Sequence, residues 1–552
     1  MSAPVALPPP KPESGSLAAR PSPLCVRPLP AVSLVPSRFC DRLTLGAGKL
    51  LLMAVALSLA PWSAAAETAR KPAPPGRIEL APVEFAQLLT LRNFELTFGR
   101  ESVEVSRALA QAEAALYEPL LFGNTKINSI ERQRTIEEKT SNFAAATQNV
   151  LEEDGKTFEL GVRQRLPSGG ELSLSARTVI RSSNVLAKAG TDSEVNSGLV
   201  LMIKQPLMRG RGVGVTETDR RVAEIEWVIA QWQFRQQLQK VIAESLSVFW
   251  QAHTASEVLR LREALVANAD ALVRDAQERV AAGRLPPRAV SEAQRLRLVR
   301  QSELSRARQA RDELVIKLMT SIDLPHTRLP DLGLRATPLA DGDAGVDVPD
   351  ALAQWAPYRI ASLRQLQGQV RLNFALNQQR PAVDLVLSHS QSGLSESTST
   401  SLSTVRRGRY PEWFVGLNVE LGAGGNAKAR LQAQAQQWRV TQSETERTAI
   451  EQAFRNDFQS KKDALQSVLA ELRLIEEDAA MRANFLAQEK ARVTLGGATL
   501  ASQVQAEQDL LEAQVRLAEG VGRREVARLS LMLAEGHLLR LHGVETPLPV
   551  DP

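Results

Sequence analysis

The chain has 552 residues, of which 43% are hydrophobic, 23% charged and only 4% aromatic. Its long middle and end sections are rich in Ala, Leu, Gln, Arg and Glu, a composition that favours extended helices over disorder or a compact enzyme. Lys and Arg number 67 against 62 Asp and Glu, so the formal net charge of +5 is small for this length and does not point to a nucleic-acid partner.

The first apolar run, residues 50–60 (LLLMAVALSLA), follows Arg38, Arg42 and Lys49 and precedes Ala64-Ala65-Ala66. At 11 residues it falls short of the roughly 20 that a spanning helix needs, and Ala64-x-Ala66 offers a small-residue cleavage site before Glu67. Residues 1–66 therefore read as a signal peptide with a Pro-rich lead. Cys25 and Cys40 both precede the cut, and no Cys follows the apolar run, which disfavours lipidation. No later apolar run reaches spanning length, so a membrane-bound form must cross as β-strands.

After a Pro/Gly linker at 71–76, a helix is predicted over 82–117, ended by Pro119. From 120 to 206 the period changes to two: Phe158, Leu160, Val162, then Leu172, Leu174, Ala176, then Leu199, Leu201, Ile203. Pro167-Ser168-Gly169-Gly170 supplies a tight turn, and 142–155 and 182–197 read as exposed loops. The pattern over 215–282 is helical for 68 residues, on the order of 100 Å of rod. Ala252, Leu259, Val266, Val273 and Val280 repeat every seven residues, with Val248, Ala255, Ala269 and Ala276 in the alternate register and Leu261, Leu265 and Leu272 beside them, which predicts coiled-coil packing against two neighbours. The rod reverses at Gly283-Arg284-Leu285-Pro286, and a second helix covers 289–322. Residues 323–350, rich in Asp, Gly and Pro, form a linker.

The second half repeats the first. A helix over 349–379 ends at Pro381, Val383, Leu385 and Leu387 alternate, a Ser/Thr-rich loop follows, and Trp413, Val415, Leu417, Val419 and Leu421 alternate again. A helix over 426–494 turns at Leu495-Gly496-Gly497 and returns over 500–541. The two hairpins align without a gap: Arg279 to Arg492, Gly283 to Gly496, Ala293 to Ala506, Leu304 to Leu517, Arg311 to Arg524 and Leu318 to Leu531. The predicted organisation is thus one unit over 67–322, the linker, a second unit over 351–541 and a tail at 542–552.

Three stretches carry a family resemblance: QPLMRGRG at 205–212, NFALNQQRP at 373–381, and RVTLGGATLASQVQAEQDL at 492–510. In this order, and with the duplication, the chain from about 80 to 541 resembles the TolC family of outer membrane efflux proteins. The resemblance implies a mainly α fold with transmembrane β: a homotrimer whose long antiparallel coiled-coil helices form an α-barrel, each protomer adding four strands to one shared twelve-stranded β-barrel. Four strands cannot close a barrel alone, so a membrane-inserted protomer must associate. It also implies the exit duct of a tripartite efflux or type I secretion system in the outer membrane, extending into the periplasm and working passively with a periplasmic adaptor protein, an inner-membrane pump or ABC exporter, and outer membrane lipids. The first half departs from the pattern, with about 79 residues between Pro119 and Gly198 against about 35 between Pro381 and Gly416. The surplus hairpin at 157–180 is expected to extend outside the bilayer, extra barrel strands being the alternative. The rival to the duct is a periplasmic coiled-coil scaffold or adhesin whose β segments form a small soluble domain.

Gly283 and Gly496 are expected as helix C-caps. The resemblance places their turns at the periplasmic opening, so Val280, Gly283, Leu285, Val493, Gly496 and Thr499 become candidates for adaptor docking. Tyr410 and Trp413 suit a membrane interface, with strand packing as the plain alternative, and Lys204 and Asn418 alternate with apolar positions and are expected to face the lumen. Trp227, Trp232 and Trp250 are expected to pack between helices. Gly210-x-Gly212-x-Gly214 lacks the spacing and the βαβ unit of a dinucleotide loop. His253, His326, His389, His537 and His542 are scattered, and no nucleophile, base and orienter can be assembled, so neither catalysis nor a cofactor or metal is expected.

Overall fold

The computed structural model describes residues 78–141, 148–188, 190–324, 332–334, 348–495, 497–544 and 549. The leader 1–66, most of the linker and Gly496 lie outside these. Strand β1 (Ile78–Leu80) precedes helices α1 (Pro82–Arg92) and α2 (Phe94–Ala114), and then come β2 (Leu120–Gln133), the small helix α3 (Ile136–Ser141), β3 (Val150–Arg165), β4 (Glu171–Ser183), α4 (Asn184–Lys188) and β5 (Glu194–Pro206). The short α5 (Val213–Thr216) leads into the 64-residue α6 (Thr218–Ala281), which returns as α7 (Arg288–Ser321). The second half runs β6 (Leu332–Leu334), α8 (Val348–Gln354), α9 (Ala356–Gln378), β7 (Ala382–Ser395), α10 (Thr398–Arg406), β8 (Pro411–Glu420), the 68-residue α11 (Ala427–Thr494), α12 (Leu500–Ala534) and α13 (Leu538–Leu541).

Several boundaries differ from the sequence expectation, each for a local reason. The helix expected over 82–117 breaks at Asn93, whose extended backbone and side chain, accepting from Leu96 N at 3.1 Å, start α2 afresh. Asparagine prefers this capping role to a helix interior. The same side chain donates to Ser321 O at 2.9 Å, tying the break to the end of α7. The linker is not wholly irregular: β6 pairs in parallel with β1, Ile78 opposite Leu332. The Ser/Thr-rich loop holds α10, capped by Ser397. The last helix stops early, at Ala534, where His537 N donates to Met532 O at 3.2 Å and closes the end.

One core gathers α1 and α2 against the middle of the long helices: Phe85, Leu89 and Leu96 pack with Leu238, Ile242, Leu246 and Phe249 of α6, Leu318 of α7, Leu529 of α12 and Leu538 of α13. A second core sets Ile225, Val228, Ile229 and Trp232 of α6 against Ala356, Ile360 and Leu363 of α9. Trp232 and Trp250 are buried and Trp227 half-buried, as expected of tryptophans between helices. Far along α6 the buried line is Leu261, Leu265, Ala269, Val273 and Ala276, while Leu259 and Val266 are only half-buried. The buried line thus passes from the set read beside the register, Leu261 and Leu265, into the register itself at Ala269, Val273 and Ala276, because a 3.6-residue helix drifts against a strict heptad. Gly522 of α12 faces Thr254 of α6 so closely that a Cβ would collide with the threonine. Arg300 of α7 bridges Glu303 at 3.0 Å and Glu512 of α12 at 2.6 Å, and Arg262 of α6 reaches Glu303 at 2.9 Å.

His542 is wholly buried, its Nδ1 2.9 Å from Leu538 O. Burial lowers its pKa below the usual value, as it does for His253 and His537. Each ring takes up a proton less readily in the fold than when unfolded, so the stability is complete above the unfolded pKa of about 6.5 and is lost as pH falls below it. The urea midpoint is expected to fall through that window, and His542→Gln to flatten the fall. An unchanged pH profile in the variant would remove His542 as its source.

Candidate functional site

The strands form one antiparallel sheet in the order β2-β3-β4-β5-β7-β8. Its register sorts side chains onto two faces. One row runs Leu121, Val162, Leu174, Leu201, and another Leu172, Ile203, Leu387, Val415. This apolar face stands in the open: Leu121 is 80%, Leu160 67%, Leu417 61% and Trp413 74% exposed. The opposite face carries Asn124, Glu159 and Arg177 in one row and Arg165, Glu171 and Lys204 in another, with apolar exceptions that include Leu120, Phe122, Ile130, Leu151, Val179, Val200, Met202, Val386, Leu394 and Phe414. Helix α10 covers the loop end of the apolar face, where the buried Ser401 donates to Gly393 O at 2.6 Å and accepts from Ser197 N at 3.0 Å.

The hairpin expected at 157–180 does not stand apart. It lies inside the sheet as β3 and β4, paired from Leu120 opposite Arg163 to Gln133 opposite Val150 on one side and from Glu171 opposite Lys204 to Arg181 opposite Glu194 on the other. Six strands therefore replace the four that the resemblance implies. The stretches read as loops, 142–155 and 182–197, conceal strand ends whose polar residues fall on both faces: Glu153, Ser183 and Asn196 on the polar one, Glu152, Asp154 and Ser197 at the loop end of the other.

At the helical end of the sheet two of the signature stretches meet. Asn377, almost wholly buried at the end of α9, accepts from Gly210 N at 2.7 Å, Leu207 N donates to Val383 O at 2.7 Å, and Asn426 Nδ2 donates to Gln378 O at 3.0 Å. The turn between β3 and β4 docks on the same junction: Gly212 N donates to Ser168 O at 3.0 Å, and Ser168 Oγ lies 2.7 Å from Gln205 Oε1. Gly169 has φ +91°, and a Cβ there would collide with Gly210 O, so only glycine fits. Asn377→Ala leaves the part-buried Gly210 N–H without its partner and is expected to cost about 1 kcal/mol, read as a lower urea midpoint. No change would mean that water replaces the asparagine oxygen.

Lys204 and Asn418 lie on the polar face, as expected from their alternation, and the register brings both to Asp384: Lys204 Nζ is 3.0 Å from its carboxylate, and Asn418 is its paired residue on β8. Sequence reading passed over Asp384 because only strand pairing places it between them. Tyr410 is 60% exposed just before β8, and Trp413 stands on the apolar face opposite His389.

The tips of the two helical hairpins are separate features. At the first, Gly283 has φ +70°, its N–H donates to Val280 O at 3.0 Å and Arg284 N donates to Arg279 O at 2.8 Å, the paired bonds of a glycine-terminated helix. At the second, Gly497 N donates to Arg492 O at 2.8 Å, and Thr499 caps α12 by accepting from Ser502 N at 3.1 Å. Gly496 itself is outside the described residues. Val280 and Val493 are half-buried, whereas Leu285 is 37% and Leu495 86% exposed. Glu489, almost wholly buried, was not singled out in the sequence; it binds Ser502 and sits 3.2 Å from Arg492, bracing this tip.

Among the described residues no helix is long and apolar enough to cross a membrane. The arrangement is one of long helical hairpins joined to one sheet whose faces are mainly apolar on one side and mainly polar on the other. Solved structures share it. The outer-membrane channel OprN superposes with a TM-score of 0.61 at 12% identity, over 82% of this chain and 89% of that one. The CmeC outer membrane channel of Campylobacter jejuni gives 0.59 at 11%, over 83% and 86%, and the outer membrane protein VceC of Vibrio cholerae 0.57 at 13%, over 82% and 96%. The sequence matches no protein-family profile and no curated protein. The fold is that of the TolC-family outer membrane channels.

Proposed function

We propose that the chain is the outer membrane exit duct of a tripartite efflux or type I secretion system, a homotrimer that passes solutes or proteins passively from an inner-membrane pump or ABC exporter through a periplasmic adaptor. The observation that carries this reading is the sheet, whose apolar face, open except where α10 covers its loop end, suits lipid and whose polar face suits a water-filled lumen. Two internal units, 67–322 and 351–541, are supported by the equivalent six-to-one bonds at Arg284 and Gly497, which occupy matching positions in the two hairpins.

The two flanks of the protomer support closure into a ring. On one, the edge strand β2 continues from α1 and α2, where Leu91, Phe94, Phe98, Val105 and Leu109 stand exposed at helical spacing. On the other, the edge strand β8 continues into α11, where Leu431, Trp438, Leu474, Met481 and Phe485 do the same. Unlike flanks that are both unpartnered make head-to-tail contacts, which close when the rotation permits. The tips, with Val280, Gly283, Leu285, Val493, Gly496 and Thr499, are then the adaptor-facing opening, and Tyr410 and Trp413 mark the outer membrane interface.

Single-channel recording in a planar bilayer tests this. The purified protein is expected to insert and conduct in discrete steps, and Gly283→Leu, which cannot easily hold the left-handed tip, to change the step size or its gating. Trimers recovered from the soluble periplasm that never insert would instead establish the scaffold.

A further inference from the structure

We propose that β3 and β4 are membrane-spanning staves of the barrel wall, so that three copies of this chain close an eighteen-stranded barrel. The inference rests on the duct reading above. Four observations on the hairpin carry it.

First, its apolar side chains continue the apolar rows of the neighbouring strands without a step in register: Val162 and Leu174 lie between Leu121 and Leu201, and Leu160 and Ala176 between Gly123 and Leu199. A hairpin projecting into water beyond the bilayer has no reason to carry this face. Second, it reaches the base of the sheet. Its turn is bonded to the junction of β5 with the helices through Ser168 and Gly212, so the hairpin begins at the same level as β5 and β7. Third, its length matches: β3 has 16 residues and β4 13, against 14 in β2 and 13 in β5. Along β4 itself Leu172, Leu174, Ala176 and Ile180 share this face over eight steps, about 26 Å of strand at roughly 3.3 Å each. Fourth, the insertion is an even number of strands. The six strands alternate in direction, so the β2 edge of one copy still meets the β8 edge of the next antiparallel, as a closed barrel requires.

Barrel diameter rises roughly linearly with strand number, so eighteen strands give a wall about 1.5 times as wide as twelve, in the range that leaves an aqueous channel in porins. Most of the residues added to the lumen are polar or charged, Glu159, Arg163, Ser173, Ser175, Arg177 and Arg181 among them, with Leu151 and Val179 as apolar exceptions. The outer mouth then accepts whatever the helical tunnel delivers, and selection falls to the helical part.

The test places single nitroxide-labelled cysteines in the mature protein, which lacks cysteine once the leader with Cys25 and Cys40 is removed. Protein in phosphatidylcholine vesicles is probed with molecular oxygen, which concentrates in lipid, and with a water-soluble nickel chelate. Leu199→Cys and Leu417→Cys report the strands common to both barrel sizes. Leu160→Cys and Leu174→Cys report the hairpin, with Glu159→Cys and Ser175→Cys on its other face. The expected result is oxygen-favoured collision at 160 and 174 equal to that at 199 and 417, with nickel favoured at 159 and 175. Nickel access at 160 and 174 while 199 and 417 stay in lipid would overturn the eighteen-stranded wall and leave the duct intact. Nickel access at all six would sink the duct reading and this inference with it.

Discussion

Phe85→Ala is expected to destabilise the helical body by about 3–5 kcal/mol, read as a drop in the urea midpoint followed by helical circular dichroism. Phe85 is 0% exposed, and its ring centre lies 5.6 Å from that of Phe249, in the core that ties α1 to α6, α7, α12 and α13. These elements come from both ends of the chain, so the void left by the ring falls where the surrounding helices are least free to collapse. The informative partner is Phe98→Ala. Phe98 is 71% exposed on the flank of α2 and touches no core of its own protomer. Its removal is expected to leave the unfolding of the helical body nearly unchanged while lowering the temperature at which trimers dissociate in detergent. Equal unfolding losses in the two variants would mean that the flank packs within the protomer. An unaffected trimer would mean that the flank is not an interface.

How far the sequence reveals this fold depends on the range of the interactions that fix each part. The long helices were legible because their periodicity is local and runs for many turns, and their tips because Gly283 and Thr499 act within five residues of themselves. The break at Asn93 was hidden by a helical pattern on both sides, although a side chain that caps its own third neighbour is a local signal that was available. The β1–β6 pairing was not legible, since its two short strands lie about 250 residues apart and carry no alternation long enough to register. The sheet lies between these cases. Its alternation at Phe158, Leu160 and Val162 showed that the hairpin was β, but whether it joined the neighbouring strands depended on register, which one strand alone does not contain. The same gap concealed Asp384 beneath Lys204 and Asn418, and Asn377 beneath Gly210.

The second large effect belongs to the apolar face itself. Leu199 lies midway along the apolar rows of β5 and is 42% exposed, with Ala176 and Gln391 beside it, while the next residue, Val200, lies on the polar face between Ser175 and Ser390. An arginine introduced on a lipid-facing strand position near the bilayer midplane costs about 2–4 kcal/mol, and a homotrimer bears that cost in each copy. Leu199→Arg is therefore expected to abolish most of the heat-resistant, membrane-inserted trimer, and Val200→Arg, one residue away on the same strand, to keep the trimer and shift the channel toward anions. The strand, the charge and the change in bulk are nearly the same in the two variants, so a difference between them reports only which face meets lipid. Equal loss in both would show that β5 is packed tightly on its two sides, and a Leu199→Arg trimer that inserts normally would show that the exposed apolar face is covered by protein and not by the bilayer.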